Sequence, residues 1–541
     1  MPQKRFSPWM NTSATTWQRT SLLIVFFLGL GLRIYWITQK TGFHGDELTS
    51  LSIIWNGVDG NGHLMHDAHR IYQAEELRHF FADETGGLHG LRQDLRALWE
   101  NNQDVPHASL YYMLLRCALT AVSVPSAQAV IAWGCGLNLL FFAIGFFAAA
   151  RMLCSHSGKW YWPAFALGMG YLNSISVSNT LFLREYALAE MAVMLLFYQV
   201  LRLREYMHEK RPLFRPSVFL PSIGVTTLAL SCGYVNALLV LFLACWLGAA
   251  AYKERLFGKS LAFVLSVGLL ATLFCWALYA GFFNYVLDPR IARTSDKLQV
   301  TAFPVEIGST IKGFARLLIL RLLSPVGSIL LVASLWFTIR HKRKLQVSIP
   351  KGMWVCLCLW LGIYLFLVPW KDERFLAPGA PLLMFLFAAL SYRLLPLLTL
   401  CACCTSLVPN LISYRSPTNQ INLDRCHRLV LLGPDAEERK MASLLTAEIG
   451  TGQELVIVES QDEIIHWQSP RDTSFLLLTA TYEKPEAELL THYTVASEGK
   501  LNLWMNYYEL RRKPSAETAK PPRPPLPNGE RQTSTNPLPS Q

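Results

Sequence analysis

"TSLLIVFFLGLGLRIYWITQKTGFHGDELTS", residues 20–50, runs from an apolar stretch broken only by Arg33 into an adjacent acid pair, Asp46 and Glu47. About 17–25 apolar residues cross a bilayer as a helix, so 20–38 predicts a membrane span. The acid pair then sits where the chain leaves the membrane. Neighbouring carboxylates repel, and partial burial raises their proton affinity unless a cation compensates. Arg33, near the far end of the span, is the candidate cation. An ionised Asp46 in this place suits a general base toward a hydroxyl or amine. The same pair also suits a solvated position in the first turn of a helix, where acidic side chains favour the macrodipole.

The rest of the chain has the same character. It holds 541 residues, 52% hydrophobic and 16% charged, against about 25% charged in soluble domains. The apolar runs are continuous rather than alternating, which argues for helices and against a β-barrel. The net charge of +11 is concentrated in short loops between runs. That is the positive-inside pattern, not the signature of a nucleic-acid partner. The fold class expected is an all-α polytopic membrane protein of about eleven spans with a small C-terminal α/β domain.

The spans are expected near 20–38, 127–150, 160–177, 186–203, 217–232, 235–252, 260–283, 323–340, 352–369, 375–392 and 394–412. Their inner connections include "RLREYMHEKRPLFR" and "RHKRKLQVSIPK", each with five Lys or Arg. This bias puts residues 1–19 in the cytoplasm and everything after 412 outside. The first run has no small-residue cleavage site after it, so it is expected to remain as an anchor. Within 20–412, residues 39–126 form a large first outer loop. In it, "DAHRIYQAEELRHFFADE" (67–84) reads as amphipathic helix and "SLYYMLLRCALTAVSV" (109–124) as an interfacial helix interrupted by Arg116.

Residues 413–513 change character. "HRLVLLG", "ELVIVES" and "SFLLLTATY" read as buried strands, with "DAEERKMASLLTAEI" and "KPEAELLTHY" as helices. No GxGxxG or P-loop is present. Only Cys426 of the twelve Cys falls here, which excludes an internal disulfide. The tail 514–541 is Pro-rich and expected to be disordered.

Three further stretches carry chemistry-bearing side chains at outer span ends. "DVPHASLYY" (104–112) places His107 before Tyr111 and Tyr112, which also suit an aromatic belt at headgroup level. "NTLFLREYALAE" (179–190) places Arg184 and Tyr186 at the mouth of a span, where a cation must face protein, water or lipid phosphate. "PWKDERFLAPGAPLL" (369–383) clusters Lys371, Asp372, Glu373 and Arg374 between two spans. Basic residues on the outer side run against the charge bias and invite an anionic ligand. Loop 284–322 adds Arg290, Arg293 and Lys297. There is no HExxH, GxSxG or outer DxD.

In order and spacing, these stretches resemble the integral-membrane glycosyltransferases of the C-type fold. That family includes protein O-mannosyltransferases, bacterial aminoarabinose transferases and RgtA/B/C/D-like enzymes. The family pattern has an Arg near the end of the first span, then Asp-Glu, here "LRIYWITQKTGFHGDE". A His-Pro-Pro-Leu-Tyr-Tyr element follows, here "HASLYY" with Ala108 and Ser109 in place of both prolines. "REYAL" matches Arg-x-Tyr-Ala-Leu, and "ERFLAPGAP" matches Glu-Arg-Tyr with Phe375 for Tyr. The resemblance implies inverting transfer of a sugar from a polyprenyl-phosphate donor to an envelope acceptor (glycan, lipid or protein) at the periplasmic face of a bacterial inner membrane. It implies Asp46 as general base and Glu47 as the residue that orients or charge-balances the site. His107 would line it, together with Tyr186. Arg184 and Arg374, and more weakly Arg290 and Arg293, would take the leaving phosphate. No cofactor is implied; Glu47 and His107 would be the ligands of a divalent metal if one were used. A flippase of lipid-linked sugars and a non-catalytic envelope scaffold are the competing readings.

Overall fold

The computed structural model describes residues 13–40, 42–56, 71–73, 87–101, 109–120, 127–157, 159–233, 235–279, 303–341, 349–368, 372–391, 394–415, 428–433, 453–466, 474–480, 483–500 and 505–513. Helices dominate, and a small sheet closes the chain. The helices that matter for the site are α1 (Ser13–Thr38), α2 (Gly45–Asn56), α3 (Gly87–Asn101), α4 (Ser109–Leu119), α5 (Ala127–His156), α6 (Trp162–Tyr171), α7 (Ser174–Leu181) and α8 (Tyr186–His208). They are followed by α9 (Pro216–Leu230), α10 (Val235–Lys253), α11 (Phe257–Leu278), α12 (Phe303–Leu317), α13 (Ser324–Arg340) and α14 (Lys351–Leu367). Then come α15 (Glu373–Leu390, with a 3-10 turn at Ala377–Gly379) and α16 (Leu395–Thr405).

The apolar helices make this a multi-pass membrane protein. Among the described residues, six helices are long and apolar enough to cross a bilayer: those at Thr16–Thr38, Gln128–His156, Tyr186–His208, Val235–Lys253, Phe257–Leu278 and Glu373–Leu390. The pair α12–α13 makes a seventh if its two limbs, bent by 110°, count as one. The eleven full-length spans expected from hydropathy are therefore not all present as such. α9, α14 and α16 are apolar but shorter, and the run 160–177 folds as two short helices.

That break is built by one side chain. Asn173 accepts from the Ser176 amide at 3.1 Å, capping α7, and donates to the Met169 and Gly170 carbonyls at 2.8 and 2.9 Å, closing α6. Helix ends leave such groups unpaired, and away from water they need a partner. Two more buried polar residues hold α7 in place. Asn138 of α5 donates to the carbonyls of Thr180 and Phe182 at 3.2 and 2.8 Å. Arg33 donates to Thr180 Oγ1 at 2.9 Å and Ser176 Oγ at 2.8 Å, and lies 3.8 Å above the Phe142 ring. α6 also meets α15 closely: a Cβ added at Gly170 would lie 2.6 Å from the Phe385 ring.

α3 and α4 pack beside α2. Arg116, which breaks the apolar run of α4, is buried against Asp94 of α3 at 2.6 Å. Tyr111 and Tyr112 are wholly buried, so they face protein and not the headgroup layer. The expected helix over 67–84 is corrected at its described part: Ile71–Gln73 is a strand, β1. The remainder of 67–84 lies outside the described residues.

β1 adds to a six-stranded sheet otherwise built by the C-terminal region. Its other strands are β2 (Arg428–Leu432), β3 (Glu454–Val458), β4 (Ser474–Ala480), β5 (Tyr493–Lys500) and β6 (Met505–Arg512), in spatial order β1-β3-β2-β4-β6-β5. β2 pairs in parallel with β3 and β4, and the flanking pairs are antiparallel. The three strands read from the sequence are there; the β5–β6 hairpin and β1 were not expected. Of "KPEAELLTHY" only Leu489–His492 is helical, and "DAEERKMASLLTAEI" lies outside the described residues. The near-continuous apolar strands have both faces covered, as parallel strands require. Leu429, Leu431, Leu455, Ile457 and Leu476 join α2, α3 and α4 in one core. Val430, Val456, Phe475 and Leu477 form a second on the far side. The sheet is thus seated on α2, α3 and α4.

Candidate active site

Helix ends far apart in sequence meet beyond the end of α1. Gly45 opens α2, and Asp46 and Glu47 occupy its first turn, where the helix dipole favours negative charge. The two acids then diverge.

Glu47 turns inward and is fully buried. Its Oε2 pairs with Lys40 Nζ at 2.9 Å and accepts from the His44 amide at 2.6 Å. Its Oε1 accepts from the Leu183 amide at 2.8 Å. Lys40 also donates to the Tyr414 carbonyl. A buried ion pair is tolerated when further hydrogen bonds satisfy both partners, and here they do. Glu47 therefore locks α2 onto the α7–α8 corner, the segment that Asn138 and Arg33 hold from below. A metal at Glu47 would have to displace Lys40 or a backbone amide. Among the described residues no three His, Cys, Asp or Glu side chains converge on one point.

Asp46 turns outward and keeps 28% of its side chain exposed. Its Oδ2 pairs with Arg374 Nη1, and its Oδ1 lies 3.8 Å from Arg184 Nη2. His44 Nδ1 stands 3.7 Å from Oδ2 and accepts from the Asp46 amide at 3.2 Å. Burial favours the neutral acid, but Arg184 and Arg374 outweigh it and hold the Asp46 carboxyl below the usual carboxylate range. Burial also depresses the His44 ring, against the opposing pull of Asp46 and Glu47. At neutral pH the pair is an aspartate beside an uncharged imidazole.

The cations have their own supports. Arg184 Nη1 donates to Tyr112 Oη at 2.7 Å. Arg374 follows Asp372, whose Oδ1 caps α15 by accepting from the Glu373 amide at 2.6 Å. Glu373 points away from Asp46 and pairs with Arg321 Nε at 3.0 Å. Arg321 comes from a π-turn, Leu318–Leu322, at the elbow of α12 and α13, where Ser324 takes a left-handed φ of 67°. Such turns are frequent at functional sites. Arg321 also donates to Ser413 Oγ at 3.2 Å. Aromatic rings wall the site: Phe182 stacks on Tyr414 at 3.9 Å and on Tyr186 at 5.8 Å, and Phe375 meets Tyr186 edge-on at 6.1 Å.

Of the residues singled out in the sequence, the structure brings together Asp46, Glu47, Arg184, Tyr186 and Arg374. His107, Arg290 and Arg293 lie outside the described residues. Arg33 is not the compensating cation: it bonds Ser176 and Thr180 and does not reach the acid pair. Lys40 neutralises Glu47, and Arg374 and Arg184 neutralise Asp46. Lys40 and His44 lie inside the stretch that drew attention first, and their charge and proximity were available signals. Tyr112 belongs to the "HASLYY" stretch singled out in the sequence, whereas Arg321 and Tyr414 carried no local signal that they reach this site.

No family model, curated protein or solved structure matches the chain.

The arrangement itself is chemically specific. A partly exposed carboxylate faces two guanidiniums from two other helix ends, next to aromatic walls and at one end of an apolar bundle. It offers a proton acceptor and a cationic seat for an anion within one side-chain length of each other.

Proposed function

We propose that the chain is a membrane glycosyltransferase of the C-type fold that moves a sugar from a polyprenyl-phosphate donor to an envelope acceptor. The observation that carries this reading is the meeting of Asp46, Arg184 and Arg374 at one exposed end of the apolar helices. The short helices α9, α14 and α16 and the α6–α7 pair would complete eleven crossings in thinner or locally deformed bilayer. With a cytoplasmic N-terminus, eleven crossings would leave the site and the C-terminal sheet on the far side, which in the proposed bacterial inner membrane is the periplasm.

In this mechanism the acceptor hydroxyl or amine hydrogen-bonds Asp46 and loses its proton to it. The acceptor heteroatom attacks the anomeric carbon from the face opposite the phosphate, so configuration inverts. The anomeric C–O bond breaks, and its electron pair leaves on the polyprenyl phosphate. Arg184 and Arg374 stabilise that charge, and do so strongly because the site is only partly wetted. The apolar sides of the helices accommodate the isoprenoid chain.

The resting ion pair fits this sequence of events. Held by two cations, Asp46 is a weak base. A donor phosphate competes for both guanidiniums, and each cation it draws off raises the proton affinity of Asp46. The base thus gains strength when the donor is seated. The test is sugar transfer from a synthetic polyprenyl-phosphate sugar in proteoliposomes. Transfer by wild type and none by Asp46→Asn supports the assignment; equal transfer by both removes it.

A flippase reading draws support from the α6–α7 break and the α12–α13 bend, since transporters use discontinuous helices at their substrate sites. There the broken backbone lines a cavity. Here residues 174–181 are buried throughout and their polar groups bond Asn138, Asn173 and Arg33, which favours the transferase.

A further inference from the structure

A groove of about 720 Å³ runs between α1, α5 and α8, toward the opposite end of α1 from Asp46. At 1.5 Å per residue, Arg19 lies roughly 28 Å along the helix from Thr38, so the groove is separate from the candidate active site. α1 and α8 each pack on α5 rather than on one another, and the alanines at 148–150 of α5 leave space between them. Leu23, Ile144 and Phe147 form walls that stay partly exposed, and Tyr198 of α8 closes one side.

The groove is polarised. Arg19 of α1 and Arg151 of α5 both line it, each toward its helix terminus, and both are exposed. The apolar lining lies on the bilayer side of them. Among the described residues the lining holds no carboxylate. Glu205, about two turns further along α8 from Tyr198, faces His156 at 3.4 Å. From Ile144 to Arg151 the groove rises about 10 Å, roughly two-thirds of the 15 Å that one leaflet contributes to the hydrocarbon core. Its volume falls in the range of about 300–1,000 Å³ typical of small-ligand sites.

We infer that this groove seats one anionic glycerophospholipid of the leaflet at the N-terminal end of α1. The phosphate sits between Arg19 and Arg151, and one acyl chain lies along Leu23, Ile144 and Phe147. Guanidinium forks match phosphate oxygens in pairs, and a zwitterionic headgroup would bring its own cation against the two arginines. The apolar walls bind the chain without orienting it; the arginines fix which end is which. The lipid would fill the gap between α1 and α8, the two helices that flank α5.

The experiment is native mass spectrometry of the full chain released from nanodiscs holding equal dioleoylphosphatidylglycerol and dioleoylphosphatidylcholine. The expected result is one phosphatidylglycerol retained per chain in preference to phosphatidylcholine. Arg19→Gln and Arg151→Gln should each cut that preference about five-fold, as expected for one basic residue at an anionic surface. Ala148→Phe, which fills the groove and leaves both charges, should also lower retention. Equal retention of the two lipids by wild type overturns the inference and needs no variant. So does undiminished phosphatidylglycerol retention by the double arginine variant. Circular dichroism and gel filtration of each variant identify any loss of lipid that follows from misfolding, in which case the wild-type competition decides.

Discussion

Asp46 and Arg374 form an ion pair across 328 positions of sequence. The contact ties the exit of the first span to the entrance of a late one. Two consequences follow from it, one chemical and one electrostatic.

The chemical consequence concerns Asp46→Asn. The amide keeps the size of the side chain and removes the proton acceptor. General-base catalysis contributes about 10²–10⁴-fold, so transfer should fall by at least about 10²-fold while the protein still elutes as wild type on gel filtration. Single-turnover assays with saturating donor measure the loss directly. A drop confined to donor KM would show that the residue binds and does not take the proton.

The electrostatic consequence is an acid limb. Asp46 has a folded-state pKa below its unfolded one. Its charge therefore adds stability that is present above the ordinary carboxylate range and is lost as pH falls through the depressed folded value. In the free protein, Asp46 should remain ionised at pH values where ordinary aspartates are already protonating. Carboxyl resonances of ¹³C-labelled aspartate, compared between wild type and Asp46→Asn, would identify the missing low-pH titration.

Arg374→Lys discriminates charge from shape. Lysine keeps the charge and loses the planar fork that engages a carboxylate or phosphate through two bonds. Binding of a short-chain prenyl phosphate should weaken several-fold in Arg374→Lys and more in Arg374→Gln, with little change in melting temperature. Calorimetric titration in detergent reads the affinities; identical values in all three proteins would remove Arg374 from the phosphate seat.

Glu47 is expected to behave differently. Its loss leaves Lys40 buried without its counter-charge, a defect that costs about 3–5 kcal/mol. Glu47→Gln should lower thermal stability sharply, and adding Lys40→Met should restore much of it. Unfolding monitored by tryptophan fluorescence would show whether the double variant is more stable than the single one.

The sheet register makes a covalent prediction. Gln73 and Glu454 face each other across the antiparallel β1–β3 pair, and Gln73 Nε2 lies 3.4 Å from Glu454 Oε1. Facing residues in such pairs have Cα atoms about 4.5–5.5 Å apart, within reach of a disulfide. Cysteines placed at 73 and 454, in a background without other reactive thiols, should crosslink on mild oxidation, and cysteines at 71 and 454 should not. Trypsin fragments run without reductant report the bond.

Much of the scaffold was legible in the sequence because it follows from local chemistry. Apolar runs long enough to cross a bilayer become helices wherever water is absent, and α1, α5, α8, α10 and α11 fall where hydropathy puts them. The acid pair at a helix start and the three buried strands of the C-terminal region are local signals too. The run at 160–177 misled because hydropathy does not register that Asn173 caps two helices at once.

The site was legible only as a set of suspects. Sequence alone determined that Asp46, Glu47, Arg184, Tyr186 and Arg374 stand at span ends. Tertiary structure decided that Asp46 faces Arg374 and Arg184, that Glu47 belongs to Lys40, and that Arg33 belongs to α7. It also decided that a three-residue strand between α2 and α3 completes a sheet built nearly 400 residues later. The physical reason is that ion pairs and strand edges are settled by which segments pack together in three dimensions, and neighbours along the chain carry no record of that choice.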